Sequence, residues 1–199
     1  MAMQSSRWIT IEEYHQIERQ NSEVKYEYSD GKVYAMAGGT YNHSSISLNL
    51  GVVLKAHLRG KVCRVVNSDM HVLPRGGENP SYLPDVTVTC NPDDYQGEST
   101  AVRSPRLIIE ILSPSTAYRD RGEKLRTYKA CPSMQEYVLV STRRREVEVY
   151  RRKSDHEWTN TVYTAEETVQ FMSIGLSIPM SEIYIDTDIP PLDSWLDAD

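Results

Sequence analysis

The chain has 199 residues, 39% of them hydrophobic and 25% charged, and it carries a net charge of −6. That length supports one ordinary domain with a real core. No stretch approaches the roughly 18 apolar residues of a spanning helix, and the opening MAMQSSRWIT lacks the apolar centre of a signal peptide, so neither a membrane nor export is expected. The acidic balance argues against non-specific coating of nucleic acid, but five aspartates fall in the last fourteen residues, from Asp186 on. Without them the body stands at −1, which leaves room for a local basic groove.

Thr10-Ile-Glu-Glu13 reads as a capping box that opens a short helix, TIEEYHQIER. VKYEYSDGKVYAM follows as two alternating runs about Asp30-Gly31, a hairpin signal, and Gly38-Gly39 breaks the second run. From Asn42 the spacing of Ile46, Leu50, Val53, Leu54 and Leu58 predicts a helix, and Gly60 suits its end. KVCRVVNSDMHVLP reads as a strand with its turn, RGGENPSY as a loop, and YLPDVTVTC as a strand entered by a proline. NPDDYQGESTAVRSP is a polar loop before RLIIEIL, the most apolar strand. Asp120-Arg-Gly-Glu123 offers a second capping box with Asp120 as cap; the helix it opens carries Leu125 and Tyr128 on its apolar side and ends at Cys131-Pro132. EYVLVST is another apolar strand, REVEVYRRK an alternating outer strand with EWTNTVYT beside it, and IGLSIPMSEIYID is apolar enough to pack on the body. The order describes a mixed sheet flanked by helices, an α/β or α+β fold in one domain over residues 1–185, with an acidic tail over 186–199. Cys63, Cys90 and Cys131 show no CxxC spacing and read as buried free thiols in a reducing cytosol; finger-like zinc ligands are missing.

The strand PRLIIEIL raises a chemical question, because Glu110 sits among Leu107, Ile108, Ile109, Ile111 and Leu112. A carboxylate drawn out of water costs several kcal/mol unless something pairs with it. Either the run is half exposed or Glu110 has a partner such as a metal ion. Asp85 opens the preceding strand, and if the two strands are neighbours the two carboxylates converge. A hard divalent cation relieves their repulsion, and Mg²⁺ suits such a site because it takes one or two carboxylates and keeps its waters. Lys124, on the following helix, is placed to orient a metal-bound water or steady charge on a phosphate; its plainer reading is an i, i+4 pair with Asp120.

The proline-aspartate, the later strand with a glutamate and the nearby lysine resemble the restriction-endonuclease-like superfamily, named for its PD…(D/E)xK motif. The usual third element is Glu-x-Lys on one strand; here Leu112 stands where the lysine would be. The wider pattern, YEYSDGKVYAMAGGTYNH, then LPDVTVTC, then LIIEILSPST…DRGEKLRTYKA…EYVLV, resembles a large bacterial family of uncharacterised proteins assigned as restriction endonucleases, over roughly residues 8 to 184. In that family the lysine sits on the following helix, which here means Lys124. The resemblance implies a restriction-endonuclease-like core with a mixed central sheet between helices. It also implies a metal site completed by Glu27, and it brings in His43 as a group that touches phosphate or positions water. The carbonyl of Ile111 is a further ligand candidate, Asp120 is a helix cap or else a ligand, and Ser113 is a structural turn residue.

The activity expected from these residues is Mg²⁺- or Mn²⁺-dependent hydrolysis of phosphodiester bonds, with DNA as the substrate. Arg143-Arg144-Arg145 and Arg151-Arg152-Lys153 flank EVEVY and offer phosphate contacts, or else they protect a strand edge. The resemblance also makes a homodimer plausible, since small nucleases of this kind often cut two strands with two sites. Two other readings stand beside the endonuclease: a catalytically inactive nucleic-acid- or protein-binding domain of the same fold, and a small-phosphoester metallohydrolase.

Overall fold

The alternation of side chains along PRLIIEIL sets the plan of the molecule, with each face of that strand buried against a different set of helices. The computed structural model describes residues 7–36, 38–155 and 157–191. A six-stranded sheet runs in the order β10 (Trp158–Thr164), β9 (Glu146–Arg152), β8 (Glu136–Ser141), β7 (Pro105–Leu112), β5 (Val86–Thr89), β3 (Arg64–Asn67). Its neighbours are antiparallel except β7 and β8, which run parallel. A parallel pair needs a crossover. Here it is a continuous helical segment, α3 (Ala117–Arg119), a π-helical stretch Asp120–Lys124, and α4 (Leu125–Ala130).

Odd positions of β7, Leu107, Ile109 and Ile111, join Ile46, Leu50 and Leu54 of α2 (Tyr41–His57) in one core. Ile108 and Leu112 join Tyr128, Met134 and Tyr137 on the other side. Glu110 has the parity of this second set, so it points toward the crossover helix. The C-terminal run closes the first core: β11 (Thr168–Phe171) pairs with β12 (Leu176–Pro179), and α5 (Met180–Ile183) follows, burying Phe171, Ile178, Met180 and Ile183.

The N-terminal helix α1 (Ile11–Gln20) begins at the expected capping box, with Thr10 accepting from the Glu13 N–H and Glu13 accepting from the Thr10 N–H. Its Tyr14 packs with Ile9, Tyr28 and Val33 on the hairpin of β1 (Tyr26–Ser29) and β2 (Lys32–Ala35). Asp30 and Gly31 both have positive φ, the two-residue turn that Asp-Gly favours. A Cβ on Gly31 would also lie 2.3 Å from the Trp8 ring. The polar loop after β5 contains a short strand, β6 (Ala101–Val102), parallel to β4 (His71–Val72). Asp94 organises it by accepting from Thr89 Oγ1 at 2.6 Å and from the Arg103 and Ser104 N–H groups at 2.8 and 3.1 Å.

Two expectations are corrected. Cys63 and Cys90 form a disulfide, because Arg64 pairs with Thr89 across β3 and β5 and the two cysteines therefore stand opposite one another at the end of that ladder; Cys131 is the buried free thiol. Asp120 is not a helix cap. The helix begins at Ala117, three residues earlier, and Asp120 lies inside it with helical φ and ψ and its side chain buried. Residues 192–199 of the acidic tail lie outside the described residues, and among the described residues no helix is long and apolar enough to cross a membrane.

Candidate active site

Asp85 precedes β5, and Val86 pairs with Ile109, so Asp85 falls opposite Glu110. Directly opposed residues of an antiparallel pair present their side chains to the same face. Asp85 is held by its Oδ2, which accepts from the Ile111 N–H at 2.7 Å. The β5–β7 pairing thus brings together two acids that lie 25 residues apart in sequence.

The π-helical stretch supplies the third group. Lys124 is buried, and its Nζ lies 3.0 Å from Glu110 Oε1, 2.8 Å from Glu27 Oε1 and 3.5 Å from Asp120 Oδ1. Asp120 and Lys124 bound this widened turn, and both side chains are buried from it. π-turns of this kind recur at functional sites. Tyr137 donates to the Asp120 carbonyl at 3.0 Å, securing the stretch to β8.

Glu27 comes from β1, and both of its oxygens are engaged. Oε1 accepts from the Leu83 N–H at 3.0 Å as well as from Lys124, and Oε2 accepts from Arg119 at 2.9 Å. In this geometry Glu27 meets two cations, Lys124 and Arg119. Arg119 was not singled out by any sequence motif. Its guanidinium lies 3.4 Å over the Tyr34 ring and 3.6 Å from Glu123. His43 stands at the start of α2, where Thr40 Oγ1 caps its N–H and Gly39 leaves room for its ring, 2.8 Å from where a Cβ would be. Its Nε2 lies 3.4 Å from Asp85 Oδ2. Ser113 is a turn residue, as expected, accepting from the Thr116 N–H.

The electrostatics follow from this crowding. Burial pushes the Glu110 carboxyl well above the usual range; Lys124 pulls it down, while Asp120, Asp85 and Glu27 push it further up. Burial also raises Asp120, although Lys124 opposes it. Burial works against charge at Glu27 too, but Lys124 and Arg119 outweigh it and hold that carboxyl low. Lys124 is held well above its ordinary value by Glu110, Glu27 and Asp120, against the effect of burial. The hydrogen bond with Asp85 raises His43, burial opposes it, and the Ile111 backbone adds to the rise.

The buried acids therefore outnumber their buried cations, and the buried Asp120 Oδ1 has only the 3.5 Å ion pair with Lys124 and no hydrogen bond. That surplus fits a divalent cation between Asp85 and Glu110. Among the described residues no three His, Cys, Asp or Glu side chains make a ready metal cage. One or two carboxylates are what Mg²⁺ takes while keeping its waters, whereas zinc sites are built mostly on His and Cys.

The basic runs are largely structural. Arg151 donates to the buried Glu136 and to the Gln170 carbonyl, and Arg152 donates to the Met134, Lys129 and Cys131 carbonyls. Arg144 pairs with Glu146, and Arg145 donates to the Ile189 carbonyl.

Comparison with known proteins places these features. Residues 11–181 match the model of the Uma2 family, described as "Putative restriction endonuclease". Two uncharacterized proteins of Synechocystis are similar. One is 41% identical over 176 residues, covering 88% of this chain and 91% of that protein. The other is 32% identical over 178 residues, covering 87% and 99%. A crystal structure described as a "putative nuclease belonging to DUF820" from Anabaena variabilis superposes with a TM-score of 0.72 at 20% identity, over 88% of this chain and 97% of that one. That likeness is one of fold, a mixed sheet flanked by helices.

Proposed function

This chain belongs to the Uma2 family, and from that premise we propose that it is a metal-dependent endonuclease that hydrolyses phosphodiester bonds in DNA. The observation that carries the reading is the placement of Lys124: an ammonium delivered from a helix stands 3.0 Å from Glu110, on a strand whose motif position for a lysine holds Leu112. Asp85, Glu110 and the Ile111 carbonyl would hold Mg²⁺ or Mn²⁺. When bound, such an ion acidifies a coordinated water and neutralises charge on the scissile phosphate.

The chain's own groups do the rest. Lys124 orients the attacking water and steadies the negative charge on the phosphoryl oxygens as the ester bond breaks. Glu27, itself held by Arg119, fixes the lysine, and His43 steadies Asp85. Asp120, beside Lys124, would add negative charge to the site.

The test uses supercoiled plasmid DNA with Mg²⁺ or Mn²⁺ against Asp85→Asn, Glu110→Gln and Lys124→Met. Nicking by the parent chain that all three variants lose supports the assignment. Metal-dependent nicking that survives Asp85→Asn and Glu110→Gln sinks it. Absence of any divalent-ion binding by the parent chain favours the non-catalytic domain instead.

A further inference from the structure

Helix α2 places apolar side chains on its outer side as well as its inner one. Its inner side buries Ile46, Leu50 and Leu54 completely, yet its outer side leaves Tyr41 72%, Leu48 67% and Val52 60% exposed. The difference in hydrophobicity between its two faces is very small. Exposed apolar side chains gathered on one helix face mark a contact surface, whereas scattered ones need no explanation. Tyr41, Leu48 and Val52 recur at seven and four residues, the spacing of a helix–helix seam.

Charge selects the occupant. Asn42 Nδ2 donates to Asp188 at 2.5 Å, and Asn49 Nδ2 donates to the Ile183 and Ile185 carbonyls at 3.1 and 2.9 Å. These bonds lay residues 183–188 along the first half of α2, where Asp186 and Asp188 are exposed beside the half-exposed Ile185. The exposed cations Lys55 and Arg59 stand at the other end of the helix. One end of the stripe is acidic and the other basic, so the surface complements itself only when turned end for end.

We propose that this face is the interface of a homodimer, in which two α2 helices pack antiparallel about a two-fold axis near Leu48. Tyr41 and Lys55 are each seven residues from Leu48, so the axis brings Tyr41 of one copy to Lys55 of the other. Leu48 then meets its own copy, and Lys55 and Arg59 meet Asp186 and Asp188 across the axis. Antiparallel helix dipoles add to the attraction. A parallel pairing would set like charges together. The interface is isologous, the commonest arrangement of a homo-oligomer, and it does not rest on the nuclease reading.

Sedimentation of the full chain at micromolar concentration, with and without Leu48→Asp, provides the test. The parent chain sediments as a dimer and the variant as a monomer with unchanged far-ultraviolet circular dichroism, because Leu48 contributes nothing to the monomer core. Lys55→Glu with Arg59→Glu raises the dissociation constant about tenfold or more, and adding Asp188→Lys restores part of the loss. Leu48→Cys joins two copies through a disulfide under oxidation. A monomeric parent chain, a dimer that survives Leu48→Asp, or a charge reversal that Asp188→Lys fails to rescue overturns the proposal. So does a chain that dimerises only after residues 192–199 are removed, since the tail would then be what covers the stripe.

Discussion

Lys124 and Glu110 lie on different elements, fourteen residues apart, yet Lys124 Nζ and Glu110 Oε1 meet at 3.0 Å in a buried site. The contact explains how an acid is tolerated in the most apolar strand of the sheet. Glu110 faces the crossover helix, and the π-helical stretch carries an ammonium to it. Replacing Lys124 by methionine leaves Glu27, Glu110 and Asp120 buried without that cation. Breaking such a pair from one side costs about 3 to 5 kcal/mol. The expected result is a large loss of stability for Lys124→Met in urea titration.

Glu110→Gln runs the other way. Burial and the neighbouring acids already favour the uncharged form of Glu110, and a neutral amide matches that form. A carboxyl whose folded pKa is raised costs stability above its unfolded pKa and nothing well below it. At neutral pH, Glu110→Gln therefore equals or exceeds the parent chain in Tm without added metal, and the advantage fades as pH falls into the carboxylate range. Added Mg²⁺ raises the Tm of the parent chain and not that of Glu110→Gln. A shift of equal size in both proteins would remove Glu110 from the metal site.

Much of this was legible in the sequence. The Asp85 and Glu110 pair followed from a proline-entered strand and an acid in an aliphatic run, and the β5–β7 pairing has them opposite each other. The capping box at Thr10 and the inner face of α2 followed from spacing alone. Asp120 was misread because Asp-x-x-Glu is a true capping pattern, and nothing local shows that a helix has already begun at Ala117 behind a serine-rich turn. The disulfide was hidden because Cys63 and Cys90 depend on the register of two strands far apart in the chain. Arg119 carries no motif, and its value comes from Glu27 and Tyr34, which reach it from the hairpin.

The disulfide closes a loop with a sequence separation of 27 between Cys63 and Cys90 and ties the edge strand β3 to β5. Loop closure of that length contributes about 3.5 kcal/mol by the chain-entropy account. Thermal melting with and without a reductant is expected to show a lower Tm for the reduced protein. Cys63→Ser should melt with the reduced protein and respond to reductant no further.

The N-terminal capping box has a pH signature. The Thr10 N–H, with Arg7 second, holds the Glu13 carboxyl below its usual value. A depressed carboxyl contributes stability above its unfolded pKa, near 4.5, and that contribution is lost as pH falls through the folded value. Glu13→Gln should therefore melt below the parent chain at neutral pH and converge with it in strong acid. Thr10→Ala removes the other half of the box and costs about 1 kcal/mol. Because the cap oxygen of Thr10 does not titrate, that loss should persist at both pH values.

Arg151 distinguishes a structural cation from a nucleic-acid contact. Its Nε donates to Glu136 Oε1 at 2.8 Å, and Glu136 is fully buried, accepting also from the Met172 and Ser173 N–H groups at 3.0 and 2.9 Å. Arg151 thus anchors β9 to β8 and to the short turn before β12. A surface phosphate contact would show itself as weaker DNA binding and a shallower salt dependence with little change in stability. Arg151→Ala is expected to do the opposite. It leaves a buried carboxylate with its two N–H partners and no cation, and it should lower stability by about 3 kcal/mol. Any remaining DNA affinity, measured on the folded fraction, keeps the salt slope of the parent chain.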